Sequence, residues 1–540
     1  MVNVSYTTDG SLVAVYDPSA GADGTAIYST GDMAWMLTAA CLVMIMAPGV
    51  GLLYSGLLRR KNALSMMFLG LAVYSLCTVE WFFWGYSLTF GQGSPYIGNL
   101  NHFGLINVDV APSVGSTKIP ALLFAFYQSM FAALTPVIAI GGCAERARLA
   151  PILVVSFLWA TIVYNPCACW TWNSTGWGFI NGVLDFAGGG PVHMTSGTAS
   201  LVWSFYLGRR RGYGTAKLAY RPHSVSHVVI GTALLWFGWF VSDARLNPGF
   251  NGGSEGAMNL RSVQAAMVTN VAAAMGGLTW LMMDLRAEKG WSASRRRLRR
   301  PLTRFVSRYS VYTRKYSAVS LCSGILAGLV GITPAAGFVG TPAAVAIGFI
   351  TAIAANYATG LKVLLGIDDA VDGFALHAVG GFTGAILTAL FADSRVVAFD
   401  GYTEIPGGWI NHHYVQLGWQ LASACAIISY TAVVTYILLF IVDHIPGLKL
   451  RSSEDTEIVG IDEAECGELG YDYVSICREM DESHAEGGAG LSRTISHSSN
   501  EKTSQNAPGA HHAVNVSMPD VTETSAREGA AVSAPKTHVA

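Results

Sequence analysis

The stretch Asp185-Phe-Ala-Gly-Gly-Gly-Pro-Val-His193-Met-Thr-Ser-Gly197 places an acid, a glycine run and a histidine at the start of a long apolar segment. If a helix begins near Pro191, His193 and the residues after it enter the hydrocarbon of a membrane. An ionisable side chain there is costly and is usually functional. The stretch therefore predicts a membrane helix with a site inside it.

A second stretch repeats this pattern. Asp369-Ala-Val-Asp-Gly-Phe-Ala-Leu-His377-Ala-Val-Gly-Gly381 again has an acid eight residues before a histidine and a glycine four residues after it. Two copies predict an internal repeat, and inverted repeats place a transporter's site near the midplane, between the two halves. A pattern this loose also arises by chance, so the pairing needs support from the rest of the chain.

The composition indicates a protein that lies mostly in lipid. Of 540 residues, 51% are hydrophobic and 13% are charged, whereas soluble chains carry about 25% charged residues. The nine cysteines are scattered, and Cys167-Ala-Cys169 lacks the second pair that a zinc site needs. No nucleophile, metal cluster or nucleotide-binding loop occurs with its required neighbours, so we expect neither an enzyme nor a cofactor, and no nucleic-acid partner.

Eleven apolar segments are long enough to cross about 30 Å of hydrocarbon at about 1.5 Å per residue. They predict an all-α integral membrane protein with eleven transmembrane helices. Residues 1–32 are polar and lack a basic start before an apolar core, so no cleavable signal peptide is expected. The predicted segments are residues 33–57, 63–85, 119–143, 150–170, 192–207, 224–240, 258–284, 317–333, 341–359, 373–393 and 415–443.

The distribution of Lys and Arg predicts the orientation. Alternate loops contain 22 of these residues, and the opposite loops contain Lys118, Arg245 and Arg395. Because cytoplasmic loops are enriched in Lys and Arg, the N-terminus is expected outside and the C-terminus inside. The fifth and tenth helices then run in opposite directions, as an inverted repeat of helices 1–5 and 6–10 requires.

The spacing between acid and histidine predicts that both histidines lie near mid-membrane. Eight residues of continuous helix span about 12 Å. Two histidines at that depth can hydrogen-bond to each other while staying neutral, because burial disfavours the charged imidazolium. The alternative is a hydrogen-bonded core histidine on each helix without a functional role.

The chain divides into four predicted regions. Residues 1–32 form an extracellular segment, and residues 33–443 form the transmembrane domain. Residues 444–482 form an acidic tail that is expected to fold against the cytosolic face and to regulate the protein. Residues 483–540 have the composition of a disordered segment; Arg493-Thr-Ile-Ser496 in this region is a candidate kinase site, although such patterns also occur by coincidence.

Four motifs make the chain resemble the ammonium transporter family (Amt/Mep/Rh), and within it the fungal Mep type. Two of them are the Asp185–His193 stretch and Asp368-Asp-Ala-Val-Asp-Gly-Phe-Ala-Leu-His377. The others are Pro48-Gly-Val-Gly-Leu-Leu-Tyr-Ser-Gly56 and Gly142-Cys-Ala-Glu-Arg146. Asp443-His-Ile-Pro-Gly447 and Arg451-Ser-Ser-Glu-Asp455 add to the fungal character, and the resemblance spans about residues 33–480.

The resemblance implies a plasma-membrane homotrimer with one narrow pore per subunit, for ammonium, ammonia and methylammonium. It further implies that His193 and His377 are the twin histidines of the pore. Phe131, in Met130-Phe-Ala-Ala-Leu134, corresponds to an aromatic gate, and Phe250 to a second pore phenylalanine. Trp172 and Ser254 correspond to an outer recruitment site, which Asp185 helps to organise without touching the substrate.

Elementary energetics favour such a pore for ammonia. An isolated ammonium ion in a medium of low dielectric faces a desolvation cost of tens of kcal/mol, whereas neutral ammonia crosses apolar walls more easily. An aromatic face at the outer end of the pore attracts a cation through a cation–π interaction of roughly 0.5–2 kcal/mol. Each aromatic residue, taken alone, also fits a packing role or a position in the interfacial belt.

Two insertions depart from the family pattern. Val241–Pro248 separates Phe237-Gly-Trp-Phe240 from Gly249-Phe-Asn-Gly-Gly-Ser254, and is expected either to bulge at the outer end of helix six, displacing Phe250 and Ser254, or to reflect a gene-model error. A second insertion, at about 293–315, contains Arg295-Arg-Arg-Leu-Arg-Arg300. For this second insertion, a solvated loop or a gene-model error is favoured over a lipid-binding segment.

Two sequons and one further function complete the predictions. Asn3 and Asn173 both head Asn-X-Ser/Thr sequences on the predicted outer side. Asn3 is the favoured glycan site, because its segment is expected to be mobile and because a glycan on Asn173 would obstruct the vestibule.

The alternative function is an ammonium sensor (transceptor) with a signalling role and little transport.

Overall fold

Long apolar helices make up most of the fold. The computed structural model describes residues 3–16, 25–213, 222–243, 259–289, 316–401 and 403–471. Within these ranges the main helical segments, numbered in chain order, are α1 Thr30–Leu57, α2 Arg60–Phe90, α3 Ala121–Cys143, α4 Leu149–Ile180, α5 Gly189–Met194 continuing as Thr195–Leu207, α6 Val225–Asp243, α7 Leu260–Lys289, α8 Ala318–Ile332, α9 Thr341–Leu365, α10 Phe374–Val379 continuing as Gly380–Phe391, and α11 Val415–His444.

Eight segments in the described part of the chain are long and apolar enough to cross a membrane. They confirm that the protein is a multi-pass helical membrane protein. Two shorter apolar helices, Val225–Phe240 and Ala318–Ile332, accompany them. The helices begin and end close to the predicted segments. The count of eleven crossings, the orientation and the inverted repeat stay predictions.

Four of these segments contain π-helical turns, which are wider than α-helical turns. They are Trp81–Gly85 in α2, Ala160–Tyr164 in α4, Gly189–Met194 in α5 and Phe374–Val379 in α10. Such turns are rare and often lie at functional sites. The last two contain His193 and His377.

A glycine sets the contact between α5 and α10. A Cβ atom placed on Gly197 would lie 2.2 Å from the backbone nitrogen of Ala378, a distance that no side chain allows. The two backbones therefore touch one turn after His193 and one residue after His377. This close packing brings the two histidine-bearing turns together.

The described residues of the N-terminal segment include a sheet, which the sequence did not predict. Strands β1 Asn3–Tyr6, β2 Leu12–Tyr16 and β3 Thr25–Ser29 form an antiparallel sheet in the order β1-β2-β3. Val13, Val15 and Tyr28 are buried on one face, and apolar burial on one face stabilises such a sheet. A second, two-stranded sheet pairs β4 Pro112–Ser113 with β5 Ser116–Pro120.

The tail packs against the loops at one end of the helices; that this end is cytosolic stays a prediction. The backbone amide of Ser452 donates to the carbonyl of Arg146 at 3.0 Å. The Asp462 carboxylate accepts from the amides of Leu64 and Ser65 at 2.9 and 2.8 Å, and Glu465 accepts from the amide of Leu149 at 2.9 Å. These contacts come from tail residues between 452 and 465; the predicted disordered segment and its candidate kinase site lie outside the described residues.

Candidate functional site

The two histidines meet inside the membrane domain. The Nδ1 atoms of His193 and His377 are 3.1 Å apart, and the rings stack with centroids 5.2 Å apart at 27°. Both side chains are buried. At this distance one Nδ1 carries a hydrogen and donates it while the other accepts, so the tautomers of the two rings are coupled.

The histidine pair lies beside a narrow apolar cavity. The cavity provides about 20 Å³ for the centres of water-sized molecules, and about 10–15 Å³ is needed to hold one water. It therefore accepts about one small molecule. Its lining includes both histidines, Phe131, Tyr54 and Trp239.

Trp239 fixes the His193 ring from its other side. The two rings are nearly parallel, with centroids 5.1 Å apart at 12°. The indole Nε1 donates to Thr333 Oγ1 at 2.9 Å, so the tryptophan is itself anchored to the end of α8. His193 is held between an aromatic face and its partner histidine.

The Asp185 carboxylate closes a turn at the start of α5. Its two oxygens accept from the amides of Gly188, Gly189 and Gly190 at 2.9, 2.7 and 2.6 Å. Gly188 has a φ of +108°, a conformation that glycine adopts readily. The helix begins at Gly189, so the expected 12 Å of continuous helix between acid and histidine is wrong: the chain turns back over its own acid.

Asp369 makes a related but weaker contact before α10. Its Oδ2 accepts from the amide of Phe374 at 2.9 Å, five residues further along the chain. Asp185 Oδ2 accepts from the amide of Gly190, at the same separation. In both copies of the sequence pattern an acid thus binds the amide at the start of the π-helical turn that carries the histidine.

Trp172 and Asp185 are in direct contact. The indole Nε1 of Trp172 donates to the backbone carbonyl of Asp185 at 3.1 Å, and the Trp172 side chain is buried. The tryptophan therefore supports the turn before α5, and it is not among the residues that line the cavity. Ser254 and Phe250, the other predicted members of the outer site and gate, lie outside the described residues.

A buried ion cluster closes the end of the bundle where the tail packs. Glu145 Oε2 is 2.8 Å from Arg210 Nη1 and 3.0 Å from Arg59 Nε. Burial alone would raise the pKa of Glu145, but the two guanidinium groups outweigh it and lower the pKa to about 2. Arg210 also pairs with Asp368 at 2.7 Å, and its charge lowers the pKa of that carboxyl against the effect of burial.

The structure brings His193, His377 and Phe131 to one cavity, and Trp172 to Asp185. Sequence reasoning missed Tyr54 and Trp239 as lining residues, although both lie in motifs that the sequence displayed, Pro48–Gly56 and Phe237–Phe240. A side chain in an apolar helix gives no signal of which way it faces. Helix α6 continues through the first three residues of the Val241–Pro248 insertion; the rest of that insertion and residues 293–315 lie outside the described residues.

These features belong to a family of membrane transporters. The family model described as Ammonium Transporter Family matches residues 34–294 and 303–471. The chain therefore belongs to the ammonium transporter family, and it is a transporter of ammonium rather than an enzyme.

Fungal members are similar over most of the chain. Ammonium transporter 1 of Schizosaccharomyces pombe is 47% identical over 478 residues, which cover 88% of this chain and 89% of the relative. Ammonium transporter MEP2 of Saccharomyces cerevisiae is 47% identical over 452 residues, covering 82% and 84%. The crystal structure of Candida albicans Mep2 has 46% identity and a TM-score of 0.70, covering 79% of this chain and 87% of that one.

Proposed function

We propose that this ammonium transporter recruits ammonium at its outer face, removes a proton and conducts ammonia past His193 and His377. The observation that carries this proposal is the 3.1 Å contact between the two Nδ1 atoms beside a cavity sized for about one small molecule. The pair offers hydrogen-bonding atoms in an otherwise apolar passage. Ammonia both donates and accepts hydrogen bonds, so it suits these atoms.

The lining favours a neutral species. No Lys, Arg, Asp or Glu is among the described residues that line the cavity. A cation stripped of water in such a place lacks compensation for a cost of tens of kcal/mol. Proton removal before entry avoids that cost.

The histidine pair gives the released proton a route. Because one Nδ1 donates to the other, a proton added to one ring is able to pass along the shared hydrogen bond. Net movement of charge then accompanies ammonia. Phe131, which lines the same cavity, acts in this proposal as an aromatic gate on the outer side.

Trp172 and Ser254 form the proposed recruitment site, with Phe250 as the second gate residue. Trp172 supplies an aromatic face for cation–π attraction, and Ser254 supplies a hydroxyl acceptor. Asp185 acts indirectly, since its carboxylate binds three backbone amides. Its role is to hold the turn whose backbone carbonyl accepts a hydrogen bond from Trp172.

The remaining proposals concern assembly and topology. We propose eleven crossings with an inverted repeat of helices 1–5 and 6–10, the N-terminus outside, the C-terminus inside and a homotrimer in the plasma membrane. The basic residues in alternate loops and the matching contacts of Asp185 and Asp369 support this arrangement. The acidic tail regulates transport, and a kinase acting on it is a proposed partner.

Uptake of methylammonium tests the conduction proposal. Cells that lack their own ammonium transporters receive the full chain, a form without residues 241–248, or either form with His193→Ala and His377→Ala. Both histidine-intact forms are expected to take up methylammonium. Uptake by the shortened form alone would mean that the insertion blocks the outer site, and histidine variants that keep the uptake rate and selectivity of their parents would overturn the proposed pore.

The comparisons do not favour the sensor alternative, because the fungal relatives are named as transporters. Truncation separates the two roles. A chain ending at Tyr471 keeps the tail contacts described above, and we expect it to keep transport. If uptake stays but nitrogen signalling disappears, the distal tail has a second role.

A further inference from the structure

Glu80 is an acid buried inside α2, away from the cavity. It ends the α-helical part Ala63–Glu80, immediately before the π-helical turn Trp81–Gly85. Its side chain is 0% exposed, and it is ten residues, or about 15 Å of helix, from the Phe90 end of α2. It is not among the cavity-lining residues, so the conduction proposal does not use it.

The hydrogen bonds from Thr161 and Asn165 to Glu80 converge on one of its two oxygens. Oε1 accepts from Thr161 Oγ1 and from Asn165 Nδ2, each at 2.9 Å. Oε2 is buried and has no hydrogen-bond partner among the described residues. A carboxylate spreads its charge over both oxygens and attracts donors to each, whereas a carboxylic acid has one carbonyl oxygen that accepts and one hydroxyl.

The donors are oriented toward Oε1. The indole Nε1 of Trp84 donates to Thr161 Oγ1 at 2.9 Å, so the threonine hydrogen is free to point at Glu80. The Asn165 side chain uses its amide nitrogen toward Glu80 and its oxygen toward Thr89 Oγ1 at 3.3 Å. Both of these hydrogen bonds are satisfied when Oε1 is a carbonyl oxygen.

Among the described residues, no positive charge compensates this acid. Within the described ranges, Glu80 forms no ion pair with Lys, Arg or His. The Cys77 thiol, one turn earlier on α2, interacts with it electrostatically; α4 contributes a hydroxyl and an amide. An isolated carboxylate in such surroundings is strongly disfavoured, whereas Glu145, of similar burial, has two guanidinium partners.

We propose that Glu80 is a proton-binding site, occupied at neutral pH, with the proton on Oε2. The bound proton keeps α2 and α4 packed at their π-helical turns. Oε2 rests against the backbone at Gly85, where an added Cβ would lie 2.7 Å from it. Loss of the proton places an uncompensated charge against the backbone of α2 itself, which distorts the π-helical turn that packs on α4 and slows transport in alkaline medium.

Infrared spectroscopy of the full-length protein in lipid tests the protonation state. The wild type at neutral pH is expected to show the carbonyl stretch of a protonated, hydrogen-bonded carboxylic acid, and Glu80→Gln is expected to lack that band. Glu145→Gln is the matched control and should leave the band unchanged. A wild-type spectrum in which Glu80→Gln removes only carboxylate absorption would overturn the proposal.

Stability and uptake across pH test the consequence. Glu80→Gln keeps the shape and the Oε1 acceptor, so we expect its melting temperature at neutral pH to equal that of the wild type, while Glu145→Gln melts earlier. The ratio of methylammonium uptake by Glu80→Gln to uptake by the wild type should rise as the medium becomes alkaline. Taking this ratio cancels the effect of pH on the protonation of methylammonium, because both forms are measured in the same medium. A ratio that stays constant, or a Glu80→Gln variant as unstable as Glu145→Gln, would overturn the proposed site.

Discussion

His193 and His377 share a hydrogen bond between like atoms, Nδ1 to Nδ1, at 3.1 Å. Each ring needs the other to form this hydrogen bond, since one Nδ1 must donate and the other must accept. The pair is therefore a single chemical unit contributed by two helices. Its properties should change together when either helix is altered.

The polarity of this unit should set selectivity. Replacing both histidines by Asn enlarges the passage and supplies amide groups to a dehydrated cation, whereas replacing both by Leu keeps it apolar. We expect the Asn pair to admit rubidium. Its ratio of methylammonium uptake to rubidium uptake should be at least about tenfold lower than that of the wild type, which corresponds to roughly 1.4 kcal/mol of lost discrimination. The Leu pair should exclude rubidium. Radiotracer uptake measures both ratios, and equal rubidium uptake by the two variants would contradict this explanation.

The turn before α5 should depend on the charge of Asp185. Asp185→Asn keeps the size but offers an NH₂ group where three backbone amides now donate. Because a hydrogen bond to a charged group contributes about 1.5–3 kcal/mol, we expect a lower melting temperature and much reduced uptake. Asp369→Asn is the matched control, since the structure records one such amide contact for it. Equal loss in both variants would argue against the turn as the cause.

The ion cluster around Glu145 predicts a specific pH dependence. The pKa of this group falls from an ordinary value of about 4.3 to about 2 in the folded protein. A lowered pKa stabilises the fold above the unfolded value, and that contribution is lost as pH falls from about 4 through about 2. Glu145 should therefore contribute a constant stability above about pH 5 and a falling one in acid.

Glu145→Gln should remove this contribution. We expect a loss of about 3 kcal/mol near neutral pH, at the lower end for breaking a buried ion pair, because Arg210 keeps Asp368 as a partner. Unfolding of the purified protein in detergent, followed at neutral pH and near pH 3, measures it. The difference between variant and wild type should shrink in acid; a constant difference would show that the charge of Glu145 is not responsible.

The two sequons should behave differently. Asn173 is buried, and its Nδ2 donates to the carbonyls of Thr89 and Gly91 at 2.8 and 3.0 Å. A glycan on that nitrogen is incompatible with both hydrogen bonds, so Asn173 should carry none in the folded protein. Asn3→Gln should abolish the mobility shift produced by endoglycosidase treatment. A shift that persists in Asn3→Gln would contradict this assignment.

The sequence predicted the helices well because lipid imposes a simple requirement, a long apolar run for each crossing. It also predicted that His193 and His377 would meet, since the repeated pattern placed them at equivalent positions. It did not predict that the chain turns back at Asp185, because a run of three glycines permits many backbone conformations. Trp239 was missed as the partner of His193, since a tryptophan in an apolar helix fits packing equally well.

The N-terminal sheet was missed for a different reason. The strand Leu12–Tyr16 is short and nearly all apolar, with Val13 and Val15 turned inward. Its partners are Asn3–Tyr6 and Thr25–Ser29, which mix polar and apolar residues, and strand pairing between separate stretches is not visible in local composition. Phe250 and Ser254, outside the described residues, leave the outer part of the predicted pathway as a proposal.

Because His193 and His377 lie on π-helical turns, this transporter depends on the number of residues in those turns as well as on their identity. Each holds an additional residue relative to an α-helical turn, and one residue rotates a helix by about 100°. Deleting a single residue within Gly189–Met194 would restore regular winding and swing every later side chain of α5 by that angle. In a lineage of such genes, point substitutions in these turns should therefore accumulate far more readily than one-codon insertions or deletions.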